Sequence, residues 1–244
     1  MKFILHLRDL PLAWTDLDFR RIEHYQLLHP TESMQSLSEF LSKPFDFNPS
    51  KRSFSLKWAI GFVLIAAAAR ILPHPVNFTP LGAMALFGAA SISRKWLAVA
   101  LPIVAFWISD LFLNNVVYSM YYEGFTWFTP GYLWMYGAMI LTSLIGFGLL
   151  GKVSIHRLAG ASISSSIVFF LLSNFGVWLG STLYPQTLTG LGACYVAGLA
   201  FLQNSLAGDL FFSAALFGGY AILINRMQTD LEEKAEKVDV RSDF

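Results

Sequence analysis

Apolar residues run almost unbroken from about Phe54 to Asn225, interrupted only by proline clusters, an aromatic loop and pairs of basic residues. Runs this long and this uniformly apolar predict membrane-spanning helices. The first extends from about Phe54 to Leu72 and stops at PHPVNFTP, where Pro73, Pro75 and Pro80 cannot continue a helix interior. Thr79-Pro80 offers an N-cap and first residue for the next helix. That second run, Leu81 to Ile92, is too short to cross a hydrocarbon core of about 30 Å, and its small residues Ala85 and Ala89 suit close packing. The third span runs from Trp96 to about Asn115 and leads into YSMYYEGFTWFTPGY, a loop of interfacial character. The fourth covers Tyr132 to Leu150 and the fifth Leu158 to Gly180. Residues Thr187 to Gln203 are apolar but rich in Gly and Ala, and read as a segment lying on the outer face or dipping into it. Leu206 to Asn225 is the sixth span. The pattern predicts an all-α membrane protein of about six transmembrane helices, with a short second helix and an outer-face apolar segment before the last.

Composition sharpens this. Of 244 residues, 55% are hydrophobic and 14% charged, against roughly 25% charged in a soluble domain, and the mean hydropathy is +0.52. Only eight charged residues fall between Ala59 and Asn225: Arg70, Arg94, Lys95, Asp110, Glu123, Lys152, Arg157 and Asp209. The remainder mark out a tail over residues 1–53, poorly structured and holding His6, His24 and His29, and a charged tail over 227–244 around a transmembrane domain of 54–226. MKFILHLRDL resembles a signal peptide only superficially, because Arg8 and Asp9 interrupt its apolar region, and it reads as part of a cytoplasmic tail; a downstream start would leave the membrane core complete. Basic residues before span one (Lys51, Arg52, Lys57), between two and three, and between four and five place both termini in the cytoplasm by the positive-inside rule. Were Thr187–Gln203 to cross, the C-terminus would move outside. A net charge of +1 argues against a nucleic-acid role, and the single Cys194 excludes an intrachain disulfide and a Cys-based metal cluster.

Two apparent motifs lose their force in context. GFGLLGK, Gly146 to Lys152, fits GxGxxG and nearly fits a P-loop, but Val153 stands where Ser or Thr is needed and no strand precedes it. Helix-packing glycines are the simpler reading. Asn77-Phe78-Thr79 fits a glycosylation sequon that Pro80 weakens.

Carboxylates at membrane depth are paired, protonated or directed into a polar cavity, so Asp110 and Asp209 stand out. On the predicted topology other polar groups converge on the same outer half: His74 and Asn77 in the first loop, Asn114 four residues after Asp110, and Trp107 one turn before it. Asn174 and Trp178 share a face of span five, and Tyr195, Asn204 and Asp209 surround the start of span six. Carboxylates, carboxamides and aromatics together could clamp a flat polar molecule. The structural alternative is that these groups cap helices or join them, with Arg70 bridging to either Asp. No nucleophile, metal cluster or cofactor motif supports an enzyme, and no metal or cofactor is expected.

The stretches LPHPVNFTPLGAMALFGAA, SDLFL and SNFGVWLGSTLYPQTLTGLGACYVAGLAFLQNSLAGDLFF resemble an uncharacterised family of bacterial putative transport proteins. That family is similar to the substrate-binding S components of energy-coupling-factor (ECF) vitamin transporters, through six spans, a short second helix, the Asn-aromatic stretch ending in Tyr184-Pro185, and FLQN before span six. The resemblance implies a protein of the bacterial cytoplasmic membrane that binds a small vitamin-like solute at its outer face. It further implies docking on a shared transmembrane coupling subunit driven by two ATPases, with Gly61, Ala66, Ala85 and Ala89 as docking candidates. The competing reading is a self-sufficient proton- or cation-coupled carrier using Asp110 and Asp209. A membrane enzyme using the two carboxylates as acid and base is the third, and a purely structural partner protein the fourth.

Overall fold

A computed structural model describes residues 56–242, so the N-terminal tail expected over residues 1–53 lies outside the described residues. Six α-helices follow in chain order: α1 (Leu56–Ala69), α2 (Leu81–Ser91), α3 (Lys95–Phe112), α4 (Tyr132–Leu149), α5 (Ile155–Gly180) and α6 (Leu188–Ser242). No strand occurs among the described residues. Four stretches are long and apolar enough to cross a membrane: Lys95–Val117, Tyr132–Leu149, Ile155–Gly180 and Leu188–Ile224. The chain is an all-α membrane protein.

The short second helix is its centre. Nine of the 11 residues of α2 are buried, among α3, α4, α5 and α6. Its alanines and glycines let the neighbouring backbones approach. Gly88 lies against the Ala98 carbonyl of α3, where a Cβ would come within 2.6 Å. That carbonyl is the one Pro102 leaves without its helical N–H four residues on, so the missing side chain and the missing donor occupy one contact. On the other flank, a Cβ at Gly146 of α4 would stand 2.7 Å from the Ala89 Cβ. Gly146 of GFGLLGK is therefore a helix-packing residue, whereas Gly148 and Gly151 have open space beside them. Phe87 sends its ring between Phe217 and Tyr220 of α6, edge-on to both at 5.3 and 5.2 Å between centroids.

Two local features differ from the pattern read along the sequence. Thr79 does not cap α2; Pro80 is itself the N-cap residue and supplies no side-chain hydrogen bond. And Thr187–Gln203 is not a segment apart from the sixth span: Leu188 to Ser242 is one continuous helix of 55 residues. Gly and Ala signalled a break there, but no proline interrupts FLQNSLAGD, and Asn204 directs its side chain to another element rather than to its own backbone. The apolar part, 37 residues from Leu188 to Ile224, spans about 55 Å at 1.5 Å per residue, well beyond the roughly 30 Å of a hydrocarbon core.

α3 ends in a π-helical turn, Leu113–Val117, and a short 3-10 turn, Ser119–Tyr121. The following loop is fastened back onto it. The Asn115 carboxamide donates to the Leu111 and Thr126 carbonyls and accepts from the Thr126 N–H at 2.7 Å, while Trp107 donates to the Trp127 carbonyl at 3.0 Å.

Candidate functional site

The two intramembrane carboxylates do not share a site. Each belongs to its own network, and the networks are held by different helices.

Asp110 faces the end of α1. The Arg70 guanidinium donates to its Oδ1 at 2.7 Å, with both side chains about nine-tenths or more buried. The same guanidinium donates to the Phe106 carbonyl at 3.2 Å and to the Ser109 hydroxyl, and lies 3.7 Å from the Phe106 ring centroid. Thr129 donates to the other carboxylate oxygen at 3.2 Å and accepts from Asn114 at 2.9 Å. Arg70, Asp110, Asn114 and Thr129 thus join α1, α3 and the aromatic loop by a paired, largely desolvated charge.

Asp209, on α6, lies against the first turn of α2. A Cβ on Gly82 would fall 2.5 Å from both carboxylate oxygens and 2.1 Å from the Ser165 hydroxyl. Ser166 of α5 donates to Asp209 at 2.7 Å, and the backbone amides of Gly82 and Ala83 face the carboxylate. A helix begun by proline with no cap of its own has exposed amides and a positive dipole end, and an anion from another helix satisfies both. Asp209 has no cationic partner among the described residues. Around it lies a set of buried hydroxyls: Thr142 and Ser165 are 3.2 Å apart, and Ser162 donates to Ser213 at 2.9 Å.

The preceding turn of α6 holds the proline loop. Asn204 donates to the Val76 carbonyl at 2.9 Å, and Gly208 lets the backbone of Phe78 and Thr79 approach to within 3.0–3.2 Å of where a Cβ would be. Asn77, at the tip, takes a left-handed conformation with φ 63°, which Asn tolerates better than most residues. His74 is half-buried, its Nδ1 3.0 Å from the Pro75 carbonyl oxygen.

A separate cleft of about 760 Å³ opens between the start of α4, the last turns of α5 and the first turns of α6. Of the predicted residues it gathers Asn77 and Asn174. The others frame it or stand away from it: Trp178 donates to the Pro185 carbonyl at 2.9 Å, and Tyr195 to the Leu171 carbonyl at 2.9 Å. Aromatic side chains, including Tyr132, Trp134, Phe170 and Tyr184, make much of its wall. Gly176 and Gly198 line it, and Gly190 lies outside its lining. Gly176 receives the pyrrole edge of Trp134, where a Cβ would come within 2.2 Å; Gly190 receives the Pro185 carbonyl; and Gly198 receives the Asn174 carboxamide. Cys194 is buried behind Asn174, its Sγ 3.3 Å from that residue's carbonyl oxygen.

The small residues considered for docking are mostly spent inside. Ala66 and Ala85 are buried and Ala89 packs on Gly146, because α2 is enclosed by its neighbours; Gly61 alone of the four has open space beside it. Gly82, Thr129, Ser165, Ser166, Ser181 and Gly198 were not singled out along the sequence. The serine run SISSS in an apolar span was the visible signal for two of them.

A family model described as a family of unknown function (DUF6580) matches residues 51–232, well over half of the chain. The match begins where the composition changes from mixed tail to apolar core. No curated protein and no solved structure matches the chain.

Proposed function

The chain belongs to DUF6580, a family of unknown function, and from its geometry we propose that it is a membrane transport protein that binds a small polar or heterocyclic solute. The observation that carries this reading is the cleft: about 760 Å³, walled largely by aromatic residues and lined also by Asn77 and Asn174. Sites for small ligands combine this concavity with a few placed polar groups. The loops that line it, after α1, before α4 and after α5, are those the positive-inside rule sets outside, so the solute arrives from the outer face of a bacterial cytoplasmic membrane with both termini inside. Nothing in this reading asks for an enzyme or a cofactor.

An S-component-like role, with a coupling subunit and ATPases supplying the energy, fits a chain that binds and carries no nucleotide motif. Its docking surface would be the outward side of α1, where Gly61 lies beside exposed Leu64 and Ile65. A second reading, the self-sufficient carrier, is favoured by one observation: Asp209 is a buried carboxylate without a counter-cation among the described residues. It gives Asp209 a proton to exchange; Asp110, held by Arg70, is the weaker choice for that part.

Native mass spectrometry of the full chain, gently extracted, tests the binding reading. The expected result is a retained small molecule in the parent protein that is lost from Asn174→Ala. A protein that emerges empty and unaccompanied, with uptake abolished by Asp209→Asn, would replace this reading with the carrier.

A further inference from the structure

The end of the bundle away from the cleft gathers four cations. Two turns meet there, 92–94 between α2 and α3 and 150–154 between α4 and α5. Close packing just inside them brings them together: Gly146 lies against Ala89, and Ile92, Leu150 and Val153 are buried in one apolar cluster. The Lys95 ammonium reaches from α3 to the last turn of α4, 5.8 Å from the centroid of the Phe147 ring. Arg94 and Lys95 from one turn, and Lys152 and Arg157 from the other, therefore stand around one place on the surface.

All four are exposed, and none forms an ion pair among the described residues. Asp110 is held by Arg70, Glu123 belongs to the opposite end and Asp209 is buried at the start of α2. The acidic residues after Asn225 do not turn back over the site. α6 continues as one helix, and at 1.5 Å per residue its backbone carries Asp230 about 8 Å and Glu236 about 17 Å beyond Asn225.

What borders the cations is apolar and equally exposed: Trp96 beside Lys95, Leu149 before Lys152 and Ile155 before Arg157. In a bundle that crosses a bilayer such side chains face hydrocarbon, so the four charges stand where headgroup meets acyl chain. Gly148 and Gly151 have nothing beside them, which leaves the surface between Phe147 and Lys152 uncovered. Fixed cations above an apolar ledge match a phosphate carried on acyl chains, whereas a soluble anion would leave the ledge bare.

We infer that the two turns form a binding site for an anionic phospholipid of the leaflet at this end. Arg94, Lys95, Lys152 and Arg157 surround its phosphates, and Trp96, Leu149 and Ile155 meet its chains. The positive-inside bias asks only that basic residues lie on one side of the membrane; here two pairs distant in sequence are drawn to one place by the packing of α2 on α4. Two cations from each turn answer a headgroup with two phosphates better than one with a single phosphate.

The test is native mass spectrometry of the full chain in detergent micelles, titrated with tetraoleoyl cardiolipin, dioleoyl phosphatidylglycerol and dioleoyl phosphatidylcholine. The parent is expected to take up one cardiolipin with an apparent Kd at least about tenfold below that for phosphatidylcholine, with phosphatidylglycerol between them. Arg94→Gln with Lys95→Gln, and separately Lys152→Gln with Arg157→Gln, each remove two exposed side chains that make no ion pair. Each double variant is expected to weaken cardiolipin by about tenfold or more. Lys57→Gln with Arg226→Gln, which removes two other exposed cations, is expected to change it by less than about twofold. Equal affinity for the three lipids, or a loss in the Lys57 and Arg226 variant as large as in the others, overturns the site. A loss confined to one of the two pairs overturns the convergence of the turns. Displacement of bound cardiolipin by millimolar inorganic pyrophosphate assigns the cations to a soluble anion and overturns the lipid.

Discussion

Asp209 and Asp110 were conspicuous because hydropathy makes any charge in an apolar run conspicuous; what each one does was not visible. Their partners are distant in sequence. Arg70 lies 40 residues from Asp110, and Ser166 lies 43 from Asp209. Periodicity ranks positions as buried or exposed but does not say which buried groups meet. The bridging role of Arg70 was foreseen as one of two possibilities and falls to Asp110. The capping of α2 by Asp209 was not, since Thr79-Pro80 looked like a complete local start. A measurable consequence follows from that cap. Asp209→Ala leaves the Ser166 hydroxyl and the first amides of α2 without their acceptor, at an expected cost of about 1–3 kcal/mol. Asp209→Asn keeps an oxygen in place and loses less. Thermal unfolding in detergent should order them parent, Asn, Ala; an Ala variant as stable as the exposed-site control Glu123→Ala would remove the capping role.

At the scale of elements, the start and end of α1 to α5 were legible to within a few residues, because prolines, glycines and basic pairs punctuate the chain wherever a helix must end. α6 was not, because composition alone separated its first four turns from the rest. Two glycines in 187–203 admit close neighbours rather than ending a helix: Gly190 accepts the Pro185 backbone and Gly198 the Asn174 carboxamide. The same logic distinguishes glycines that look alike in sequence. Gly82→Ala would drive a methyl into Ser165 and Asp209, whereas Gly61→Ala meets nothing within 4 Å. The first is expected to lose about 1–3 kcal/mol or fail to fold, the second to gain about 0.5–1 kcal/mol from helix propensity. Equal unfolding temperatures for the two variants would mean that α2 does not pack so tightly against α5 and α6.

Over the whole molecule, the membrane class was readable from the first pass, since no soluble core needs so many consecutive apolar residues. The cleft was not, because its wall is assembled from three loops and three helix ends, and only Asn77 and Asn174 carried a signal strong enough to notice. Ser181 is an ordinary serine until the fold buries it. The bundle has two distinct ends, one bearing the aromatic loop with Glu123 and the other the turn with Lys152, joined by the single crossing of α4. Cysteines placed at Glu123 and at Lys152, in a background where Cys194 is replaced by Ala, should label with a membrane-impermeant maleimide from opposite sides: Glu123 in intact cells, Lys152 only after permeabilisation. Labelling of both from one side would discard the topology.

The grip of α6 on the proline loop and on α2 also sets a schedule. Asn204 reaches back 128 residues to Val76, and Asp209 a similar distance to the start of α2. At about 5–20 residues per second a ribosome needs on the order of 6–25 s to cover that interval. Throughout it the central helix exists with its amide end unanswered, in a medium that offers no water to answer it. The core of this protein is therefore the part that waits longest to be completed, and a chain released before residue 209 leaves the ribosome with every other helix made and its middle unfinished.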